Sequence, residues 1–356
     1  MDATDPLALG QRVIAILETG RRTATYKFAT LTALVDHCVE HVPADSRAAL
    51  DVPVVELTDR VIEIYWPQVR PFGGMRLRQS TQPGERIPRE VRRLRSAVGA
   101  DDREMSVSVA RMREPVVYNE VRREVVLTLC QQPLHRLQEL PGGAHDIFLY
   151  DDSWMHDKVG ARVIAAHGVI RLLPGVAAGL ARLSGLLKPT LEILWVEDVR
   201  RMNRQLSENV PDIAGHLFGR NRIPLGPARL ALAEAFGPGC FYCGRRLAAH
   251  VDHVLPWSRV GIDGLANLVL ACARCNSSKS QLLPAVEHTT RALDRDQATL
   301  VQIATGIEWP YQYERTVAAA RGLYLSTPPN SPTWRGVDQF TRLDLAFPPP
   351  WIDYQP

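Results

Sequence analysis

The sequence predicts a mainly α-helical protein, α+β overall, with one small module built around a bound metal. Three observations carry that prediction. Apolar residues recur at helical spacing through most of the first two thirds, strand-like stretches are few, and four of the six cysteines fall in two tight pairs. At 356 residues the chain is too long for one core of usual size, so two or three domains are expected. A hydrophobic share of 46% and a charged share of 23% exclude a disordered chain.

In chain order, Phe28, Leu31, Val35, Cys38 and Val39 keep a helical period, with Cys38 a buried thiol. Leu57, Val61, Ile64 and Tyr65 keep it again until Pro67 ends the segment. Val121, Val125 and Leu129 repeat the pattern, and Cys130 reads as a second buried thiol. Ile147 to Tyr150 reads as a strand, after which Asp151 and Asp152 cap the next turn. Arg162 to Ile164 and Val169 to Leu172 read as a hairpin turning across Ala166, His167 and Gly168. Helices then run from Val176 to Leu187 and from Leu191 to Leu206. Further on, Val286 to Thr305 and Tyr311 to Leu323 read as two helices, and the proline-rich tail as an extended strap. Pro224, Pro227 and Pro284 divide the chain into a helical recognition, regulatory or partner-binding domain (1–225), a small module (226–287) and a helical extension with its tail (288–356).

A formal charge of +3 excludes a globally basic, nucleic-acid-coating surface. Charge is nevertheless uneven. Seven arginines fall between Arg76 and Arg95 against only Glu85 and Glu90, and the stretch is either a set of phosphate contacts or a solvated helix face. No apolar run approaches the ~20 residues that cross a bilayer, so no membrane partner is expected. The segment MDATDPLALG lacks the basic and apolar regions of a signal peptide, which predicts a cytoplasmic protein. In that reducing compartment cysteines serve metal binding or remain free thiols.

The paired cysteines are Cys240-Phe-Tyr-Cys243 and Cys272-Ala-Arg-Cys275, with 28 residues between the pairs. A C-x-x-C turn lets two thiolates converge on one ion, and two such turns complete the tetrahedron that structural Zn²⁺ prefers. Between the pairs lies HVDHVLPWSR, in which Asp252 and His253 stand side by side among apolar residues where charge is costly to bury.

Read together, C-x2-C, V-D-H-V-L-P, N-L and C-x2-C-N-x2-K resemble the HNH endonucleases, also called His-Me finger nucleases, in the form clamped by a four-cysteine zinc. The resemblance covers about residues 238 to 286. It implies a small ββα-metal module that hydrolyses phosphodiester bonds of DNA. The position of Asp252 then ligates a catalytic divalent metal, His253 activates water, Asn267 braces the loop that aims the histidine, and Asn276 supplies a second metal ligand. An imidazole with an ordinary pKa near ~6.5 suits a base at neutral pH. Many members end the motif in histidine. Asn276 instead makes the donor set all oxygen, which favours Mg²⁺ or Mn²⁺. In a regular strand Asp252 and His253 face opposite ways, so a bulged or twisted finger is expected.

Lys279, Arg274 and Arg259 are expected to reach backbone phosphates, as are Arg245 and Arg246. His250 is either a contact behind the site or an exposed side chain. An accessory domain joined to such a module resembles bacterial restriction and anti-phage nucleases, and the domain would engage DNA, a protein partner or a small effector. Two rival readings are a non-catalytic zinc module that docks on nucleic acid and an HNH nuclease acting on RNA. The Asp252, His253, Asn276 constellation separates the first rival from catalysis, because docking needs none of it.

Overall fold

A computed structural model describes residues 5–19, 23–100, 105–139, 145–205, 212–219, 225–246 and 250–355. Helices dominate, and the named strands form three two-stranded antiparallel sheets. The chain divides into one unit of residues 1–37 and 43–223 and another of residues 38–42 and 224–356. Among the described residues no helix is long and apolar enough to cross a membrane.

In the first unit the periodic apolar positions become core. Phe28, Leu31, Leu57, Val61, Tyr65, Val121, Val125 and Leu129 are all buried. Their focus is Trp195, whose ring lies 6.0 Å from Phe28 and 5.4 Å from Tyr65 and whose indole N–H donates to Gln79 Oε1 at 2.8 Å. Two helices expected from 176 to 206 are one, Val176–Met202, running through Pro189. Leu180 and Leu187 on one side of the proline and Leu191 and Trp195 on the other are buried, so packing outweighs the hydrogen bond the ring removes.

The expected hairpin is also corrected. Residues Ala161–His167 form a helix, and Gly168, at φ 69°, is its left-handed cap and no hairpin turn. The following strand, β2 (Val169–Leu172), pairs with β1 (Leu50–Pro53), with Leu50 opposite Leu172. Of the strand expected at 147–150, Tyr150 makes a single bridge, to Leu172. Asp151 does cap its turn, accepting from Ser153 N–H at 2.9 Å, whereas the buried Asp152 meets His145 and Gln138.

Several of the clustered arginines are tied to acids of their own unit. Arg92 pairs with Glu85 at 3.0 Å, Arg89 with Glu90 at 3.0 Å, and Arg93 with Glu90 and Glu120. Arg95 is buried, stacked over Trp66 and donating to the carbonyls of Trp66 and Ala100. It therefore belongs to neither a solvated face nor a phosphate-contacting one.

The second unit holds β3 (His250–His253) and β4 (Leu268–Ala271), then the helix Ala273–Lys279. The single helix expected over 286–305 is two, Val286–Leu293 and Gln297–Gly306, because Asp296 accepts from Thr299 N–H at 2.8 Å and starts a new helix. The tail is no strap. It forms a hairpin of β5 (Pro332–Gly336) and β6 (Gln339–Arg342), followed by a short 3-10 turn at Pro350–Asp353. Residues 38–42 join this unit through Arg315, which donates to Glu40 at 2.9 Å, and Arg321, which donates to the Val42 carbonyl at 2.6 Å.

Aromatic packing ties the hairpin to the first cysteine pair. Trp334 of β5 lies 5.0 Å from Tyr242, and His288 lies 5.2 Å from Tyr242 and 5.6 Å from Trp334. Burial holds the His288 pKa below its ordinary value. The unfolded chain takes up a proton at this residue below about 6.5, while the folded state stays neutral. Stability is thus complete above that pH and is lost as the pH falls toward the folded pKa. His288→Gln is expected to flatten this slope, checked by denaturant midpoints between pH 7 and 5.

Candidate active site

The site begins with its thiols. Gly244, at φ 72°, allows the chain to turn after Cys243, and Gly244 N–H donates to the Cys240 carbonyl at 2.8 Å. Cys272 stands at the start of the Ala273–Lys279 helix, where its sulfur accepts from Cys275 N–H at 3.5 Å. That amide draws the Cys272 thiol down to about 7, while burial pushes Cys240 and Cys275 up. The four sulfurs lie within 4.8 Å of one another, with Cys243 and Cys272 at 3.9 Å. A tetrahedral S₄ zinc site with bonds of about 2.3 Å has S···S edges of about 3.8 Å. These sulfurs fit that ion, and all four are free of disulfides.

Cys240, Ala271, Cys275 and Trp334 form one buried cluster, so the hairpin at 332–342 closes the apolar side of the thiol group. Trp334 is fully buried, and its indole N–H donates to Ser278 Oγ at 3.0 Å. No local pattern links residue 334 to the cysteines.

The finger between the pairs is regular. Asp252 lies opposite Val269 and His253 opposite Leu268 in an uninterrupted register, so the bulge expected here is not present and the two side chains leave opposite faces. Asp252 is buried. Its Oδ2 accepts from the Tyr242 hydroxyl at 2.6 Å and faces Lys279 Nζ at 3.1 Å. Burial, followed by the Asp252 charge, holds the Tyr242 phenol well above its ordinary value. On the other face, His253 Nε2 lies 2.8 Å from Asp263 Oδ1. Asp263 escaped the sequence reading, although it is the sole carboxylate between His253 and Asn267.

The structure changes the expectation for Lys279. Its side chain is 0% exposed and its ammonium donates to the His253 carbonyl at 2.6 Å, so it reaches Asp252 and not a phosphate. Burial draws its pKa down and Asp252 draws it back up. Removing one partner of such a pair strands the other charge, which costs about 3–5 kcal/mol. Lys279→Met is expected to lose stability on that scale, read from chemical denaturation, and a loss under about 1 kcal/mol would show the pair to be dispensable.

Asn267 is also fully buried. Its Oδ1 accepts from Leu255 N–H at 2.8 Å, and its Nδ2 donates to the carbonyls of Leu255 at 3.1 Å and Ile262 at 3.0 Å. One amide thus ties both ends of the loop that follows His253. Asn276 is half-buried and stands one helical turn before Lys279, on the same side of its helix. Neither of these bonds to Asp252 uses Oδ1. A carboxylate oxygen and an amide oxygen are donor types that suit a hydrated hard cation.

The basic residues differ among themselves. Arg274 is exposed and 3.8 Å from Asp338, Arg245 and Arg246 are exposed, and Arg259 is half-buried with its pKa drawn down by burial. His250 is exposed.

The model of the HNH endonuclease family matches residues 240–282, which contain the four thiols, both strands and the Ala273–Lys279 helix. The chain therefore carries an HNH endonuclease domain, and that domain implies nuclease activity. A second model, described as "Domain of unknown function (DUF8808)", matches residues 7–217, more than half of the chain, and the chain belongs to that family. No curated protein and no solved structure matches it.

Proposed function

We propose that the protein is a metal-dependent endonuclease that cleaves DNA, with His253 as general base and with Asp252 and Asn276 holding Mg²⁺ or Mn²⁺. One observation supports this reading above the others. His253 ends a strand that lies between the two cysteine pairs, and the buried Asn267 fixes the loop that leaves it. A docking module has no use for such bracing.

In the reaction a water proton passes to the His253 ring as the water oxygen bonds to phosphorus. The bond from phosphorus to the leaving oxygen breaks, and solvent protonates that oxygen. A bound divalent cation supplies electrostatic stabilisation of the charge that builds on the phosphate. Lys279 holds Asp252 and the His253 main chain in one frame. The exposed Arg274, Arg245 and Arg246 would contact backbone phosphate, which positions a duplex without reading its sequence.

Because such contacts discriminate poorly, we assign selectivity to the helical unit, acting through DNA, a partner or a small effector, in bacterial defence or restriction. The test is purified protein with Mg²⁺ on supercoiled plasmid, linear duplex, single-stranded DNA and RNA, beside His253→Ala. Nicking or linearisation of DNA by the parent alone is the expected result. Cleavage of RNA alone would change the substrate, and binding without cleavage under Mg²⁺ or Mn²⁺ would make the finger a docking module.

Asn276 carries a separate prediction. Asn276→His replaces an oxygen donor by nitrogen, and the metal profile of cleavage is expected to move toward Ni²⁺ or Co²⁺. An unchanged profile would remove Asn276 from the ion.

A further inference from the structure

We infer that Asp263 is a positioning residue that fixes the tautomer and direction of the His253 ring, and that Trp309 holds Asp263 for that task. The inference rests on the reading of His253 as the base and adds how this chain prepares it. A carboxylate at neutral pH only accepts hydrogen bonds, so the 2.8 Å contact places a proton on His253 Nε2. The lone pair then resides on Nδ1. That nitrogen is the one able to take a proton from water, and the imidazolium so formed keeps the Asp263 charge beside it.

The main chain that carries the carboxylate is itself held from beyond the finger. Trp309 Nε1 donates to the Asp263 carbonyl at 2.8 Å, and the next turn is pinned by Leu265 N–H to the Pro310 carbonyl at 2.9 Å. Gly264 permits this approach. A Cβ there would lie 2.5 Å from Gln312 Cβ and 2.7 Å from the Tyr311 carbonyl, closer than real contacts allow. Trp309 and its neighbours lie outside the matched segment 240–282, so the support belongs to this chain's own extension.

Three variants and one spectrum test this. In Asp263→Ala, kcat on plasmid is expected to fall about 10- to 100-fold, as for other partners that orient a functional histidine, with KM changed less than about threefold. Asp263→Glu should recover part of that loss. Trp309→Phe, which removes the indole N–H together with one ring of a buried side chain, should lower kcat in the same sense by a smaller factor, with melting temperature separating the packing loss from the lost hydrogen bond. The spectrum is the ring ¹⁵N signal of His253, assigned by its absence from His253→Ala. In the parent it should show a protonated Nε2 and a bare Nδ1, and in Asp263→Ala an average of the two tautomers.

Zinc content and melting temperature serve as controls. Should Asp263→Ala fail to fold, the parent spectrum and Trp309→Phe still decide the matter. A parent ring protonated on Nδ1, or full kcat in folded Asp263→Ala while His253→Ala is inactive, would overturn this inference alone. Cleavage by His253→Ala would instead overturn the assignment of the base.

Discussion

His253→Ala is expected to lower cleavage at least about 10²-fold, the usual contribution of a positioned general base. Zinc content and melting temperature should remain those of the parent. The ring is only 14% exposed, yet its polar contact is to Asp263, which is 18% exposed and can recover a water when the imidazole is gone. The fold therefore loses little while the reaction loses its proton acceptor. Single-turnover cleavage of plasmid under saturating Mg²⁺ measures the effect without interference from product release. A rate within a few-fold of the parent would remove His253 from the chemistry.

The second large effect is that of zinc. One tightly held ion per chain is expected on Cys240, Cys243, Cys272 and Cys275, and in small modules such an ion supplies about 10 kcal/mol of folding free energy. Strong chelation, or replacement of any of the four by serine, should unfold the finger. The change is readable through Trp334, which is packed against Cys240 and Cys275 and would become exposed. Elemental analysis finding no zinc in protein purified without chelator would contradict the assignment.

Much of the finger was legible because its elements are neighbours in sequence. The spacing of the cysteines and the positions of His253, Asn267 and Asn276 follow from short strands joined by tight turns. What could not be read there came from distance or from burial. Asp263 meets His253 across a loop whose path is set by Asn267, and nothing local predicts which way it folds. Lys279 looks like any exposed lysine at a helix end until Asp252 and the His253 carbonyl are placed beside it. In the helical unit the periodic stretches were read well, whereas Gly168 was mistaken for a hairpin turn because β1 lies far upstream of β2. The helix Val176–Met202 continues through Pro189 because the buried stripe on both its sides outweighs the missing N–H.

The placement of Trp334 has a consequence for how the protein is made. A chain leaving the ribosome presents Cys240 through Cys275 first, and roughly 60 further residues must follow before the tryptophan that covers them emerges. At about 5–20 residues per second that interval is on the order of 3–12 s. During it the thiols are chemically complete as ligands, while one wall of their cluster has yet to be synthesised. The segment 309–312, which steadies the loop after His253, also arrives after the matched finger. A nascent chain thus carries every predicted catalytic side chain before it carries the parts that hold them. The parts that steady the candidate site are synthesised after the site itself.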